Sequence, residues 1–143
     1  MESDSISFDK LDMLELPCAM DILNQEPFAS KDNESTKTTD IDWLKQLVEF
    51  GHSYKLTLNN NIVGVVFAEN LIGDGVLLWL IATSPEVHNM RLGSKLLSSF
   101  ENEMKSIGKT WIFLNSTEDA MNFYRKNNYQ LKPNLDCECF KTL

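Results

Sequence analysis

An apolar run that leads straight into a polar turn and an amphipathic helix constrains this chain more than any other feature. The run from Val76 ends at Thr83, Pro85 opens the turn, and Gly93 stands where the helix of residues 92–107 begins. The first N–H groups of a helix lack partners within it, and the helix dipole places partial positive charge there. This strand, loop and helix start predict an anion site suited to a phosphate or pyrophosphate.

Length and composition indicate one globular domain, residues 1–143. Of the 143 residues, 43% are hydrophobic and 24% charged, as in an ordinary domain with its own core. No apolar run approaches the length of a membrane-spanning helix, and the acidic start is unlike a targeting segment. Three cysteines fit a reducing compartment better than a disulfide framework. We therefore expect a cytoplasmic protein with no metal site.

Charge is distributed unevenly along the chain. Residues 1–42 hold eleven acidic and three basic residues, a net charge of −8, whereas residues 43–143 are neutral overall. Nucleic-acid binding needs a basic face, so this distribution argues against it. It permits a cationic partner near the first third, although a solvated acidic surface is an equally good interpretation.

The spacing of apolar residues predicts the order helix, helix, strand, strand, strand, helix, strand, helix, strand. The expected elements are a helix within 9–24 that begins near Pro17, a mobile loop at 25–40, a helix capped by Asp40 or Asp42 and ended by Gly51, strands 54–58, 62–68 and 76–83, helix 92–107, strand 110–114, helix 120–127 with Ser116 and Asp119 at capping-box spacing, and strand 135–143.

Two segments within this order are similar to motifs of a known family. In the first, His88, Arg91 and Gly93 stand where a pyrophosphate loop has Gln or Arg, then Gly, then Gly or Ala. The second, residues 123–129, reads Phe-Tyr-Arg-Lys-Asn-Asn-Tyr and is similar to a Phe-Tyr-x-Lys-x-Gly-Phe ending. With a strand between these motifs, the chain resembles the GNAT family of acyl-CoA N-acyltransferases.

The resemblance implies an α/β (α+β) fold: a mixed, mostly antiparallel twisted sheet flanked by helices, with a splayed central strand pair. Residues 54–143 would form the CoA-binding core, and residues 1–53 a helical acceptor-side part. The pyrophosphate of acetyl-CoA would lie at the helix start, while its pantetheine amides pair with the strand like an added strand. The residues implied to contact it are Ile81, Ala82, Thr83, His88, Asn89, Met90, Arg91, Leu92, Gly93 and Ser94.

Three positions depart from the family's pattern. His88 can donate a hydrogen bond, but its charge depends on pH. Arg91 replaces a glycine, at a cost of about 1 kcal/mol if the position needs a positive φ, although its guanidinium could bind a phosphate. Asn128 also replaces a glycine, and asparagine is the next best residue in the left-handed conformation.

The catalytic groups are less fully specified. Tyr124 matches the family's general acid, which implies that its phenol protonates the departing thiolate. A backbone N–H near Ala82 would bind the thioester oxygen as negative charge develops. The strand before the loop holds no acid, so Glu69, a weak candidate base, and Asp74 are the nearest carboxylates, and a water chain could serve instead. The alternative interpretation is a core tyrosine and surface carboxylates.

The implied function is N-acetyl transfer from acetyl-CoA to a primary amine, by direct attack and without a metal. The acidic first third favours a cationic acceptor, either a small molecule or a peptide. Trp43 and Trp79 are typical core residues, but either could line its pocket. Two other classes stay open: a catalytically silent GNAT-like CoA-binding sensor or interaction module, and a phosphate-binding domain unrelated to CoA. We expect no nucleic-acid or membrane partner, and a monomer or homodimer.

Overall fold

A seven-stranded sheet organises the chain in the computed structural model, which describes residues 5–25, 40–132 and 137–143, without the side chain of Asn89. The strands are β1 (Ile6–Lys10), β2 (His52–Leu58), β3 (Asn61–Asn70), β4 (Gly75–Thr83), β5 (Trp111–Asn115), β6 (Gln130–Leu131) and β7 (Glu138–Thr142), and the α-helices are α1 (Leu16–Gln25), α2 (Ile41–Phe50), α3 (Leu92–Ser106) and α4 (Met121–Lys126). The strand order is β1-β2-β3-β4-β5-β7-β6. Every neighbouring pair is antiparallel except β4 and β5, which are parallel. The predicted fold class is therefore confirmed.

Two hydrophobic cores lie on the two faces of this sheet. Helices α1 and α2 bury their apolar stripes against β3 and β4 on one face, around Phe67 and Leu44. Helix α3 packs on the other face, where Phe100 and Leu96 are fully buried. The 3.6-residue period of apolar positions in each helix matches the face that it buries.

The predicted element order was wrong at its start, because the first element of the described residues is β1 rather than a helix. This strand pairs only with β2, and four of its five residues are exposed. Its main packing contact is Phe8, which stacks on Tyr54 with ring centroids 5.0 Å apart. An exposed edge strand carries little hydrophobic signal, so its pattern could not distinguish it. The two-residue strand β6 was missed because it is too short for any period.

Helix boundaries followed their local signals more closely. Helix α1 begins at Leu16, beside Pro17, and Asp40 caps α2 by accepting a hydrogen bond from the Trp43 N–H at 3.1 Å. Gly51 ends α2 as predicted. The predicted loop at 25–40 lies almost entirely outside the described residues, as do the first two residues, 135 and 136, of the last predicted strand.

The predicted capping pair before the last helix was wrong. Thr117 is the N-cap of a 3-10 helix, Glu118–Ala120, that leads into α4, and its hydroxyl accepts a hydrogen bond from the Ala120 N–H at 3.2 Å. Ser116 instead donates its hydroxyl to the Thr117 carbonyl at 2.6 Å. Ser and Thr are nearly equivalent caps, so sequence alone could not choose between adjacent candidates.

Candidate active site

A gap opens in the middle of the sheet where β4 and β5 diverge. The two strands pair only over residues 75–78 and 111–114, yet β4 continues to Thr83. The last five residues of β4 therefore have a neighbour on the β3 side alone. This is the splayed central pair that the resemblance implied.

A β-bulge marks the point of divergence. Consecutive β3 residues Phe67 and Ala68 face Leu80 and Leu78, so Trp79 is an extra residue on β4. Bulges bend the strand that carries them and increase its twist. The bend falls immediately after the last β4–β5 pair, which explains why β4 leaves its neighbour there.

The direction of the backbone groups on β4 follows from one hydrogen bond. The Ser84 N–H donates to the Val63 carbonyl on β3 at 2.7 Å. Successive residues of a strand point their N–H groups to opposite edges, so the Ala82 N–H also points to β3. The backbone groups of Ile81 and Thr83 then face the gap, and the Thr83 carbonyl lies 3.4 Å from His88 Nε2. The open-edge N–H groups thus belong to the neighbours of Ala82.

The start of α3 lies at the end of this edge. A 3-10 helix, Pro85–Met90, leads to Arg91, which adopts the left-handed conformation (φ 57°, ψ 30°), and α3 begins at Leu92. Arg91 therefore occupies the conformation that its place in the motif implied for glycine. No side chain caps α3, and its first turn contains no acidic residue. An anion could accept hydrogen bonds from these N–H groups without displacing a carboxylate.

A cleft of about 570 Å³ joins the open edge of β4, the start of α3 and one face of α4. Three of its residues are basic or can become cationic: His88, Arg91 and Lys126. None of the described residues that line it is acidic. The lining residues are Ile81, Ala82, Thr83, His88, Arg91, Gly93, Ser94, Ala120, Phe123, Tyr124 and Lys126.

Most of the residues singled out in the sequence meet in this cleft, but some do not. Met90 does not line the cleft and is 42% exposed. Leu92 is buried in the core, so only the backbone of Leu92 is placed to meet a ligand. Glu69 is the penultimate residue of β3 and accepts a hydrogen bond from Trp79 Nε1. Asp74 lies immediately before Gly75, where β4 begins, at the end of the strand opposite to Thr83.

Sequence reasoning missed three lining residues on or beside α4: Ala120, Phe123 and Lys126. Ala120 and Phe123 have the i, i+3, i+4 spacing with Tyr124 that places side chains on one helix face. Lys126 matches the lysine of the Phe-Tyr-x-Lys motif. Both signals were present in the sequence and were not used to assign these residues to the site.

The end of α4 is closed by a Schellman motif that fixes Tyr124. The Tyr129 N–H donates to the Tyr124 carbonyl, and the Asn128 N–H to that of Arg125, both at 3.0 Å. Asn128 has a φ of 72°, the left-handed conformation expected of it. The rings of Tyr124 and Tyr129 meet edge to face with centroids 5.6 Å apart.

Tyr124 is a buried phenol at the wall of the cleft. Its side chain is 6% exposed and its ring also meets Phe123 at 5.2 Å. Burial, with a smaller contribution from Cys139, raises the pKa of Tyr124 above its usual value near 10. The side chain is therefore protonated near neutral pH and available as a donor.

A polar network ties the end of α4 to α3. Lys141 Nζ donates to Glu101 Oε1 at 2.9 Å and to the Asn127 carbonyl at 3.0 Å. Asn127 Nδ2 in turn donates to Ser94 Oγ at 3.3 Å. Because Ser94 accepts this bond, its own hydroxyl hydrogen can point to a ligand in the cleft.

Comparison with known families identifies the fold. Residues 49–131, more than half of the chain, match the family model described as an acetyltransferase (GNAT) domain. The chain belongs to the GNAT family. No curated protein matches the chain at a significant level.

Solved GNAT structures share this architecture over nearly the whole chain. PaiA N-acetyltransferase from Thermoplasma acidophilum, in complex with coenzyme A, is 16% identical with a TM-score of 0.77, over 97% of this chain and 99% of that one. The ribosomal-protein-S18-alanine N-acetyltransferase of Escherichia coli is 19% identical (TM-score 0.71, 99% and 93% covered). A Drosophila melanogaster polyamine N-acetyltransferase that forms N-acetylagmatine is 11% identical (TM-score 0.76, 97% and 100% covered). At these identities the likeness concerns the fold.

The described residues hold no group of three or more His, Cys, Asp or Glu side chains suited to a metal ion. None of the helices in that part of the chain has the length and apolar character needed to cross a membrane.

Proposed function

We propose that this GNAT protein transfers an acetyl group from acetyl-CoA to a primary amine of a cationic acceptor. The observation that carries the proposal is the cleft itself. It combines an unpaired strand edge, an uncapped helix start and a buried, protonated tyrosine in one cavity. These are the three features that a pyrophosphate, a pantetheine arm and a departing thiolate need.

The cleft fits the successive parts of acetyl-CoA. The pyrophosphate lies at the N–H groups of residues 92–94, with Arg91 and Lys126 as cationic partners. The pantetheine amides pair with the open-edge backbone groups of Thr83 and Ile81, as an added strand would. The pantetheine arm then runs along β4 away from the loop, and this brings the thioester towards Ile81.

The reaction needs no covalent enzyme intermediate. The lone pair of the neutral amine attacks the thioester carbonyl, and an open-edge N–H beside Ala82, that of Ile81, stabilises the oxygen as negative charge develops. The C–N bond forms, the C–S bond breaks, and the sulfur leaves with the electron pair. Tyr124 donates a hydrogen bond to that sulfur. Its raised pKa makes complete proton transfer to a thiolate uphill, so the ammonium formed by the attack supplies the net proton.

A cationic acceptor is supported by the charge of the N-terminal part. Residues 1–42 carry a net charge of −8, and α1 and α2 cover the face of β4 opposite Tyr124. We propose that residues 1–53 provide the acceptor side and residues 54–143 the CoA-binding core. Of the structural neighbours named above, one is a ribosomal-protein-S18-alanine N-acetyltransferase and another a polyamine N-acetyltransferase, so the fold allows several acceptors.

One observation favours a second candidate, a catalytically silent CoA-binding module. The described lining of the cleft contains no carboxylate that could deprotonate an ammonium substrate. The two functions differ in turnover but not in CoA binding.

A single assay separates them. Thiol release from acetyl-CoA should be measured with spermidine, a lysine-rich peptide and neutral amino acids, alongside calorimetric binding of CoA. Turnover with the cationic amines supports the proposal, and preference for neutral acceptors contradicts the cationic part of it. Tight CoA binding with no turnover on any amine supports the silent module.

A further inference from the structure

A cluster of two indoles and a carboxylate lies beyond the end of the cleft, at the bulge of β4. The rings of Trp79 and Trp43 meet edge to face, with centroids 5.2 Å apart and planes at 87°. Trp79 Nε1 donates a hydrogen bond to Glu69 Oε1 at 2.7 Å. Three elements thus contribute one side chain each: α2, β4 and β3.

This cluster is held in place but not buried. Trp79 keeps 41% of its surface exposed, and Trp43 and Glu69 are half-buried. The hydrogen bond and the edge contact fix the orientation of the Trp79 ring, so little side-chain freedom remains to be lost when a ligand binds. A large exposed aromatic surface beside a ligand cleft is typical of a binding site rather than of a solvated face.

The chemistry of the cluster selects a cation. Tryptophan is the aromatic residue that binds cations best through its ring face. A carboxylate has acceptor sites beyond the one that Trp79 Nε1 occupies, so Glu69 can accept a further bond from an ammonium group. A ring face and a carboxylate together favour an alkylammonium over neutral or anionic groups.

The position of the cluster relates it to the reaction. Trp79 lies two residues before Ile81, which corresponds to about 7 Å along a strand. The thioester approaches Ile81 in the proposed function, on which this inference rests. A group bound at Trp79 is therefore separated from the reacting amine by the length of a short aliphatic chain.

We propose that Trp43, Trp79 and Glu69 bind a second, non-reacting ammonium group of the acceptor, which makes the acceptor a short aliphatic diamine or polyamine. Glu69 then acts as a substrate-binding group and not as the base. One amine of the acceptor loses its proton in solution and attacks, while the other stays charged in the cluster.

The test compares diamines with monoamines of equal chain length on the full chain. We would measure kcat/KM for diaminopropane, diaminobutane and diaminopentane and for the matching propyl, butyl and pentyl monoamines. The readout is the diamine-to-monoamine ratio, in the unmodified protein and in Glu69→Gln, Trp79→Leu and Trp79→Phe. Comparing the ratio between proteins cancels the different basicities of the amines. Glu49→Gln, an exposed site on α2, controls for the loss of one negative charge.

The expected result is a ratio well above one that falls about tenfold in Glu69→Gln and Trp79→Leu. It should fall less in Trp79→Phe, which keeps an aromatic ring, and stay unchanged in Glu49→Gln. Equal efficiency with diamines and monoamines overturns the inference and leaves the proposed function standing. An equal loss with both amines in Glu69→Gln, with a constant ratio, overturns it in favour of a base. No turnover with any amine contradicts the proposed function itself.

Discussion

The two faces of the central sheet use different kinds of groups. On the α3–α4 face, the cleft is built largely from backbone: the open edge of β4, the left-handed residue Arg91 and the uncapped start of α3. On the α1–α2 face, the cluster at the bulge is built from side chains, Trp43, Trp79 and Glu69. Backbone groups exist whatever the side chains are, whereas an indole pair belongs to this sequence in particular.

This difference distinguishes a site that many sequences can form from a site that depends on the side chains of one sequence. A cleft made of backbone N–H groups can persist at the 11–19% identity that separates this chain from the neighbours described above. A cluster of three side chains can be lost by single substitutions. Variants in the cleft should therefore change the use of acetyl-CoA, and variants at the bulge the choice of acceptor.

The largest effect is expected from Tyr124→Phe, because Tyr124 is the side chain in the cleft that takes part in the proposed reaction. Its kcat should fall at least about a hundredfold, because the departing sulfur loses its donor, while the KM for acetyl-CoA changes little. Steady-state kinetics would check this. Since burial raises the pKa of Tyr124, its ionisation should not reduce the rate below pH 10. A kcat within twofold of the unmodified protein would remove Tyr124 from the chemistry.

Lys141→Met should weaken the polar network that joins the end of α4 to α3. It leaves the Glu101 carboxylate, whose side chain is only 12% exposed, without its ammonium partner, and frees the end of α4. The free energy of unfolding in urea should fall by about 2 kcal/mol. The double variant Glu101→Gln with Lys141→Met should recover part of the loss, because no charge is then left unpaired. A double variant no more stable than the single one would contradict this account.

Gly93→Ala should weaken the binding of acetyl-CoA without lowering the stability of the fold. A Cβ at this position would lie 3.4 Å from Phe123 Cε1, an ordinary contact, and alanine favours a helix more than glycine does. Stability should be equal or slightly higher. The added methyl group stands beside the cleft, so the KM for acetyl-CoA should rise about tenfold. An unchanged KM would place the co-substrate elsewhere.

The smallest effect is expected from Arg91→Gly. Glycine adopts a φ of 57° without the cost of a side chain. The free energy of unfolding should therefore rise by about 0.5 kcal/mol, once the greater entropy that glycine gives the unfolded chain is subtracted. The variant should bind CoA more weakly because it loses the guanidinium. Arg91→Lys keeps the backbone strain and a charge, so a thermal melt that ranks it above the glycine variant would refute the strain argument.

Local signals in the sequence were enough to predict the parts of the fold that depend on neighbours along the chain. Helix α3 has a clear apolar stripe, Asp40 precedes its helix as a cap, and Asn128 stands at the left-handed position that ends α4. Each of these features is decided within a few residues. The uncapped start of α3, on which the proposed anion site depends, was predictable for the same reason, since a helix start supplies its own N–H groups.

Features that depend on distant partners were not predictable. The pairing of β1 with β2 joins residues about fifty positions apart, and Lys141 reaches Glu101 across forty positions. The bulge is visible only in the register between β3 and β4, because Trp79 lies within an unbroken apolar run. For that reason the sequence could not decide whether Trp79 lies in the core or lines a pocket, and the structure leaves it 41% exposed.

The extra residue in β4 also limits how this sequence can change over time. Side chains alternate along a strand, yet Leu78 and Ile81, three positions apart, pack on the same face, and Ala82 packs on the other. Deleting Trp79 would place Leu78 and Ile81 two positions apart, so regular alternation would keep both on the same face, but the bulge would be lost. Substitution at this position can therefore change acceptor preference alone, whereas deletion of the residue would remove the bend that parts β4 from β5, and with it the open edge that both substrates share.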